Sequence, residues 1–426
     1  MQIQNTYRNV DIFSYLKNYI YKEEFDLFSL NENGNKTKVE YITIENKEYP
    51  KFINEFWTSK QRQASSLHEI SYRACFKPQL PRFFIELLTD KNDIIYDPFT
   101  GRGTTIIEAG LLGRNVIAND VNPLSKMLSY PRFFIPNLKE LENRLNSISI
   151  DKNTKKDIDL SMFYHPDTEK EIISLKKYLR KKKENNTEDH IDLWIRMVAT
   201  NRLTGHSPGF FSVYTLPPNQ AVSQDSQKKI NERRKQIPEY RNIKQIILKK
   251  SKELLIDVSE EQKKILSKVG NKAKFISTDA QFTNGIKDKS IGLTVTSPPF
   301  LDVVQYDKDN WLRCWFNSID EKKIAEKITM SKTINNWCEV MQNVFYQLFR
   351  ITKYDGWVAF EVGEIRNGKY RLDEYVVPLG LKAGFVCEGI LINQQEFTKT
   401  ANIWGVSNND KGTNTNRVVI FRKNKK

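Results

Sequence analysis

The chain has 426 residues, enough for one large α/β domain plus a second module and too many for a single small core. Its 67 Lys and Arg outnumber 52 Asp and Glu, and the formal charge of +15 favours a polyanionic partner through phosphate neutralisation and counterion release. Four scattered cysteines, four histidines and no Cys-x-x-Cys pair exclude the usual metal-ligand spacings, so no metal is expected. The start lacks a signal-peptide pattern and no run of about 18 apolar residues occurs, so a cytoplasmic chain with free thiols and no membrane association is expected.

Residues 1–56 are polar and mixed, without a clear hydrophobic period, and read as an N-terminal extension of unknown role. From Phe56 to Leu88 the pattern turns helical, with Phe83, Phe84, Leu87 and Leu88 as an apolar stripe. The apolar run Ile94-Ile95-Tyr96 predicts a strand, and Asp97-Pro98-Phe99-Thr100-Gly101-Arg102-Gly103-Thr104-Thr105 then leads into the helical pattern of Ile106, Ile107, Ala109, Leu111 and Leu112. Strand, glycines and helix in that order bring backbone close to a nucleotide-like ligand. Neither a P-loop lysine nor a Gly-x-Gly-x-x-Gly lies here, which counts against NTP or NAD. A second strand over Asn115 to Asn119 places Asp120 at its carboxyl end, where an acid roughly 20 residues past the glycine loop can accept ribose hydroxyls. The alternative is a charged strand end facing solvent.

Between about 130 and 270 charge runs interrupt helical patterns, from Arg180 to Lys183 through Arg233-Arg234-Lys235 to Lys249-Lys250. Within this insert, Asn201 to Ser212 and Tyr214 to Gln220 interleave aromatics with Gly, Pro and polar donors. That mixture suits a loop approaching nucleic acid, with Arg202, His206 and Asn219 near the bases and the flanking Lys and Arg runs on phosphates, or else a packed loop whose rings serve the core. Alternation of strand and helix resumes at Lys274. Strands are expected over Phe275 to Thr278, Ile291 to Val295 and Trp357 to Val362, with β-rich segments at Phe385 to Ile392 and Arg417 to Arg422. An amphipathic helix spans residues 333–352, with Trp337, Val340 and Val344 on its apolar face. About seven strands with intervening helices make a doubly wound Rossmann-like α/β sheet, assembled from residues 57–129 and 271–426 around a mostly helical insert at 130–270.

The strand at Ile291 ends in Thr296-Ser297-Pro298-Pro299-Phe300, where two prolines stop the strand and stiffen the backbone between a hydroxyl and a ring. Alone, Ser-Pro-Pro-Phe marks a turn. Downstream of Asp-Pro-Phe-x-Gly-x-Gly-Thr-Thr, the pair resembles the cofactor and catalytic motifs of amino-directed DNA methyltransferases, in the Ser-Pro-Pro-aromatic form typical of N4-cytosine enzymes. The resemblance runs from about Phe76 to Val121 and from Phe275 to Phe316.

It implies S-adenosyl-L-methionine as cofactor, held by Lys77, Pro78, Asp97, Phe99, Gly101, Gly103, Thr104, Asp120 and, at the adenine amino group, Asp279. It implies direct transfer to an exocyclic amine, with Ser297 and the Pro298 carbonyl as acceptors for the amino hydrogens, Pro299 stiffening the turn, and Phe300 stacking on a base flipped out of double-stranded DNA. Asp302 and Tyr306 follow the motif within reach of base or backbone. A cognate restriction endonuclease is the further partner that the resemblance admits, in a bacterial or archaeal cell where the enzyme acts on the nucleoid. The insert precedes the Asp279 strand, a motif order that matches the family only loosely, so its role as target-recognition region rests on size and composition. An N6-adenine enzyme, an RNA amino-methyltransferase and a catalytically silent DNA-binding subunit are the alternatives.

Overall fold

The run Ile291 to Thr296 is buried on both faces, as are Val116-Ile117-Ala118 and Ile95-Tyr96, the pattern of parallel strands covered by helices on either side. The computed structural model describes residues 10–20, 36–57, 64–72, 75–151, 153, 155–215, 221–299, 309–325, 333–365, 370–394 and 416–425. The elements begin with α1 (Ile12–Lys17), the hairpin β1 (Lys38–Ile44) and β2 (Lys47–Asn54), then α2 (Gln79–Leu88), β3 (Ile94–Asp97), α3 (Thr104–Leu111), β4 (Asn115–Asn119) and α4 (Leu124–Ser129). The insert supplies α5 (Leu138–Ser147), α6 (Pro166–Glu184), α7 (His190–Arg202), α8 (Gln224–Arg234), α9 (Ile243–Leu254) and α10 (Glu260–Gly270). There follow β5 (Lys274–Ile276), β6 (Ile291–Thr296), α11 (Trp311–Phe316), α12 (Glu321–Ala325), α13 (Ile334–Ile351) and β7 (Thr352–Val362). The chain closes with the small pair β8 (Glu364–Ile365) and β9 (Tyr370–Arg371), then α14 (Leu372–Ala383), β10 (Val386–Asn393) and β11 (Asn416–Arg422).

The main sheet runs β1-β2-β10-β11-β7-β6-β3-β4-β5. Strands β5, β4, β3, β6 and β7 are parallel neighbours, and β11 lies antiparallel between β7 and β10. The chain leaves β3 in one direction, to β4 and β5, and returns on its other side at β6. The reversal opens a crevice beyond the carboxyl ends of β3 and β6, where open α/β sheets bind ligands. Successive side chains feed two cores. Ile95, Leu293, Val295 and Ala359 pack with α2, α3 and the insert, while Tyr96, Val358 and Phe360 pack under α13 and α14.

Two expectations are corrected here. The N-terminal residues are not a separate extension: β2 pairs in parallel with β10, which with β1 makes nine strands rather than about seven. The buried Asn393 fastens this edge, its Oδ1 accepting the N–H groups of Phe56 (2.7 Å) and Trp57 (3.2 Å) while its amide donates to the Trp57 carbonyl (3.2 Å). The insert also shares the core of the sheet. Trp194, Leu141 and Leu266 lie in one apolar cluster with Ile106 and Ile107 of α3, so the helices form a layer of the fold rather than a free lobe. Among the described residues no helix is long and apolar enough to cross a membrane, and no group of His, Cys, Asp and Glu could hold a metal ion.

Replacing Asn393 with Ala strands three backbone groups of the Phe56–Trp57 corner, and the expected loss is about 2–4 kcal/mol of folding stability, read by urea unfolding. A loss below about 0.5 kcal/mol would show that the N-terminal hairpin is dispensable to the sheet.

Candidate cofactor and catalytic cleft

The loop after β3 is sewn to the end of β4 by short polar contacts. Thr100 donates its N–H to the Asn119 carbonyl (3.0 Å), and its hydroxyl accepts the Asn119 N–H (3.1 Å) while donating to the Asp97 carbonyl (2.8 Å). The Asn119 side chain extends the seam to β5, donating to the Thr278 carbonyl (2.9 Å) and accepting the Thr278 N–H (3.1 Å). Asp120 then receives the Gly101 N–H on Oδ2 (2.8 Å) and the Asn122 N–H on Oδ1 (2.9 Å). Burial nevertheless pushes its carboxyl up to about 6, against those two hydrogen bonds.

Asp97 ties β3 to β6. Its Oδ1 accepts the Thr296 hydroxyl (2.6 Å) and the Phe99 N–H (3.1 Å), and burial pushes this carboxyl up to about 7. Thr105, at the start of α3, donates to the Val295 carbonyl (3.1 Å). Thr104 and Thr105 are therefore placed by the helix start, and the latter clamps it to β6.

Both loop glycines have positive φ, +52° at Gly101 and +87° at Gly103, but they serve different ends. A Cβ on Gly101 would find its nearest neighbour, the Tyr72 ring, at 3.6 Å, so the position is open toward the cleft. A Cβ on Gly103 would meet the Ser129 Cβ at 2.6 Å and the Arg132 guanidinium at 3.1 Å. At Gly103 the structure shows close packing of the start of α3 against the end of α4, and the residue does not line the cleft.

The cleft encloses about 1070 Å³, mouth included, and gathers Asp97, Phe99, Gly101, Thr104, Asp120, Asp279, Ser297 and Pro299. Its other walls are Tyr72, Cys75 and Phe76 ahead of α2, and Trp337, Val340, Met341 and Val344 of α13. Asp279 is steadied by Gln281, which donates its N–H (2.9 Å) and its side-chain amide (3.0 Å). Trp337 donates from Nε1 to the Pro299 carbonyl (3.0 Å), so the helix that closes the cleft also holds the Pro298-Pro299 turn. The Ser297 hydroxyl donates to Glu361 on β7, whose buried carboxyl also accepts the Asn416 amide (3.0 Å). Burial pushes Glu361 upward and these two donors oppose it.

Other expected site residues fall elsewhere. Lys77 and Pro78 line a neighbouring polar cavity that shares Tyr72 and Cys75 with the cleft, so the pre-loop segment meets the cleft through residues one to six positions earlier. Pro298 is buried off the cleft wall. Arg202 is buried, bonded to Asn201 and stacked 4.0 Å above the Phe210 ring. Phe210, Phe211 and Ser212 are buried too, so this stretch is mainly a packed loop, with His206 exposed at its edge. Phe300, Asn219, Asp302 and Tyr306 lie outside the described residues. Sequence reasoning missed Tyr72, Met341 and Glu361; only Glu361 left a signal, as one charge inside the apolar strand Trp357 to Val362.

The cleft suits a cationic nucleoside cofactor such as S-adenosylmethionine. Asp120 and Asp279 offer acceptors for ribose and base, α13 offers an apolar wall, and the buried Asp97 carboxyl gains from a nearby positive charge. The fold and cleft define a doubly wound α/β protein with a Ser-Pro-Pro turn at the switch point.

Comparison with known proteins narrows that class. Residues 4–155 match the N6_N4_Mtase model, described as DNA methylase. The Type II methyltransferase M.BsoBI of Geobacillus stearothermophilus is 26% identical over 369 residues, covering 78% of this chain and 70% of that protein. M.MvaI, the Type II methyltransferase of Kocuria varians, is 38% identical over 88 residues, 20% of this chain and 18% of its own. The tRNA (guanine(10)-N2)-dimethyltransferase of Methanocaldococcus jannaschii is 31% identical over 107 residues, 21% of this chain and 30% of its own. The chain thus spans most of the first relative and less than a third of the other two. These matches bear out the resemblance to the amino-directed N4/N6 methyltransferases.

Gly103→Ala should cost about 2–4 kcal/mol of stability from strain and overlap, measured by thermal or urea unfolding. Gly101→Leu should cost about 1–2 kcal/mol of stability and weaken S-adenosylmethionine binding by about tenfold or more in calorimetry. Equal effects at the two positions would undo the distinction. Ionisation of Asp97 and Asp120 in the free protein runs through about 7 and about 6, well above an ordinary aspartate. Their raised values mean that folding stability falls as pH climbs toward 7, and that a ligand favouring the ionised forms binds more tightly as pH rises through this range, releasing protons. Calorimetry in buffers of different ionisation enthalpy reads this directly, and proton uptake on binding would contradict it.

Proposed function

We propose that this protein is a site-specific DNA methyltransferase that moves a methyl group from S-adenosyl-L-methionine to an exocyclic amine in double-stranded DNA, with cytosine N4 favoured over adenine N6. The observation that carries this reading is Ser297 at the carboxyl end of β6, on the wall of the cleft that also presents Asp97, Gly101 and Asp120. The lone pair of an aromatic amine is delocalised into its ring, so the amine is a weak nucleophile. Acceptors that hold its hydrogens favour a pyramidal nitrogen with its lone pair aimed at the methyl group. Ser297 can serve as one such acceptor because its own proton is committed to Glu361, which leaves its oxygen lone pairs for the amine. The cofactor, when bound, supplies the methyl group. The protein's residues orient the amine and exclude water from it.

A serine rather than an aspartate or asparagine before Pro-Pro supports cytosine, and the formal charge of +15 supports a polyanionic substrate. A base inside a duplex does not reach a recessed turn, so the reading includes base flipping. The likeness to a Type II methyltransferase supports a restriction-modification setting. The local likeness to a tRNA dimethyltransferase keeps an RNA amine as the second reading. Nucleoside mass spectrometry after incubation with duplex DNA and with tRNA separates them. N4-methylcytosine in DNA is expected, whereas N6-methyladenine alone would overturn the cytosine preference and a modified tRNA alone would overturn the DNA substrate.

Ser297→Ala should lower turnover by about 30- to 1,000-fold, as expected for one lost transition-state contact, with DNA affinity little changed. Single-turnover kinetics beside equilibrium binding makes this test, and near-normal turnover would remove Ser297 from the chemistry.

A further inference from the structure

A second cavity, about 1280 Å³ with its mouth, adjoins the catalytic cleft through the shared walls Tyr72 and Cys75. Its lining carries Lys77, Arg102, Arg202 and Lys250 against a single carboxylate, Glu69. Glu69 is already engaged with Lys250 (2.8 Å), which Glu253 also approaches (3.4 Å). Among the described residues Lys77 and Arg102 form no ion pair with a carboxylate, whereas Arg202 lies in the field of Glu253 and Glu69. Arg102 donates to the carbonyls of His68 (3.1 Å) and Ile70 (2.9 Å), and Arg202 to its neighbour Asn201. Beneath them Arg132, fully buried, is held by carbonyls alone, which adds a further cation without an ion pair. Burial and the charge of Arg102 pull the Lys77 ammonium below its ordinary range, and burial brings Arg202 down to about 10. The buried His68, whose Nε2 pairs with Glu108 at 2.6 Å, also lines the cavity and has an Nδ1 with no partner. Half-buried and buried cations in excess of the nearby carboxylates are costly to gather, and an anion in the cavity lowers that cost.

We propose that this cavity seats a backbone phosphate of the nucleic-acid strand whose base enters the cleft. The proposal rests on the DNA-methyltransferase reading and adds to it the place where the strand is gripped. Three features favour a phosphodiester over a small free anion: the cavity's volume, its shared wall with the cleft, and donors drawn from the pre-loop segment, the glycine loop and α7. A strand delivering its base past Tyr72 carries its phosphates along the same wall. Arg202 therefore acts on the backbone and not on base identity.

The test uses full-length protein, a fluorescein-labelled duplex of random sequence, a labelled tRNA and S-adenosylmethionine itself. Lys77→Gln and Arg202→Gln should each weaken duplex binding by about tenfold and lower the slope of log affinity against log salt by about one. Cofactor affinity should stay within about twofold, which lies inside normal mutational scatter. Arg202→Lys should restore much of the loss, and a thermal melt shows that the variants are folded. Weakened cofactor binding with unchanged duplex binding would assign the cavity to the methionine carboxylate and overturn the proposal. Weakened tRNA binding alone would overturn it as well, as would unchanged binding of everything. Failure of the unmodified protein to bind duplex at all would sink the DNA reading itself, a different result from intact binding that ignores the cavity.

Discussion

The hydrogen bond from Thr296 to Asp97 joins the end of β6 to the end of β3, and the rest of the cleft is arranged around it. A carboxylate out of water carries a desolvation cost, seen in the upward push on Asp97. Thr296 and the Phe99 N–H offset part of that cost, which leaves the group poised for a further positive partner. Asn119 and Thr100 do the same for the seam between β3, β4 and β5. Four strand ends, those of β6, β3, β4 and β5, are thereby locked in register where the topology opens a crevice. Each side chain that faces the crevice inherits its position from this lattice rather than from its own loop.

That rigidity matters for the chemistry. A methyl transfer to a weak nucleophile depends on alignment, and misplacement of the acceptor by a fraction of an ångström removes much of the benefit. The turn at Pro298-Pro299 is stiff by covalent structure and is held from outside by the Trp337 indole. Ser297 is oriented by Glu361, a carboxylate on a different strand of the same sheet. The turn is therefore gripped from α13 on one side and from β7 on the other, and the two belong to elements that pack against each other through Phe345 and Phe360.

The insert enters this arrangement as packing. Its helix α10 lies on α3 with Leu266 close to Gly110, and α7 carries Arg202 to the cavity beside the cleft. Residues 221 and 222, ahead of α8, are also tied to α11, since Trp311 donates to the carbonyls of Ala221 and Val222 (both 3.2 Å). A layer so joined to the sheet transmits its position to the cleft with little freedom. The basic faces of α6 and α8 remain outward, with Arg233, Arg234 and Lys235 exposed.

The local grammar of this protein was legible in its residues. Alternation of strand and helix, the positive-φ glycines of the loop, Asp120 at a strand end and Ser297 at another all follow from short-range rules of backbone geometry and hydrophobic period. Tertiary structure alone decided the partners. The pairing of β2 with β10, absent from any local pattern, turned an unremarked polar N-terminus into the edge of the sheet. Gly101 and Gly103 look alike in a motif, yet one faces a cleft and the other a packed helix end, because Ser129 and Arg132 arrive from residues further along the chain. Glu361 and Arg202 show the same limit. A charge within an apolar strand or an arginine among aromatics declares itself in the sequence, but what it serves is set by contacts across long sequence separations. Those contacts depend on which surfaces the whole chain buries together.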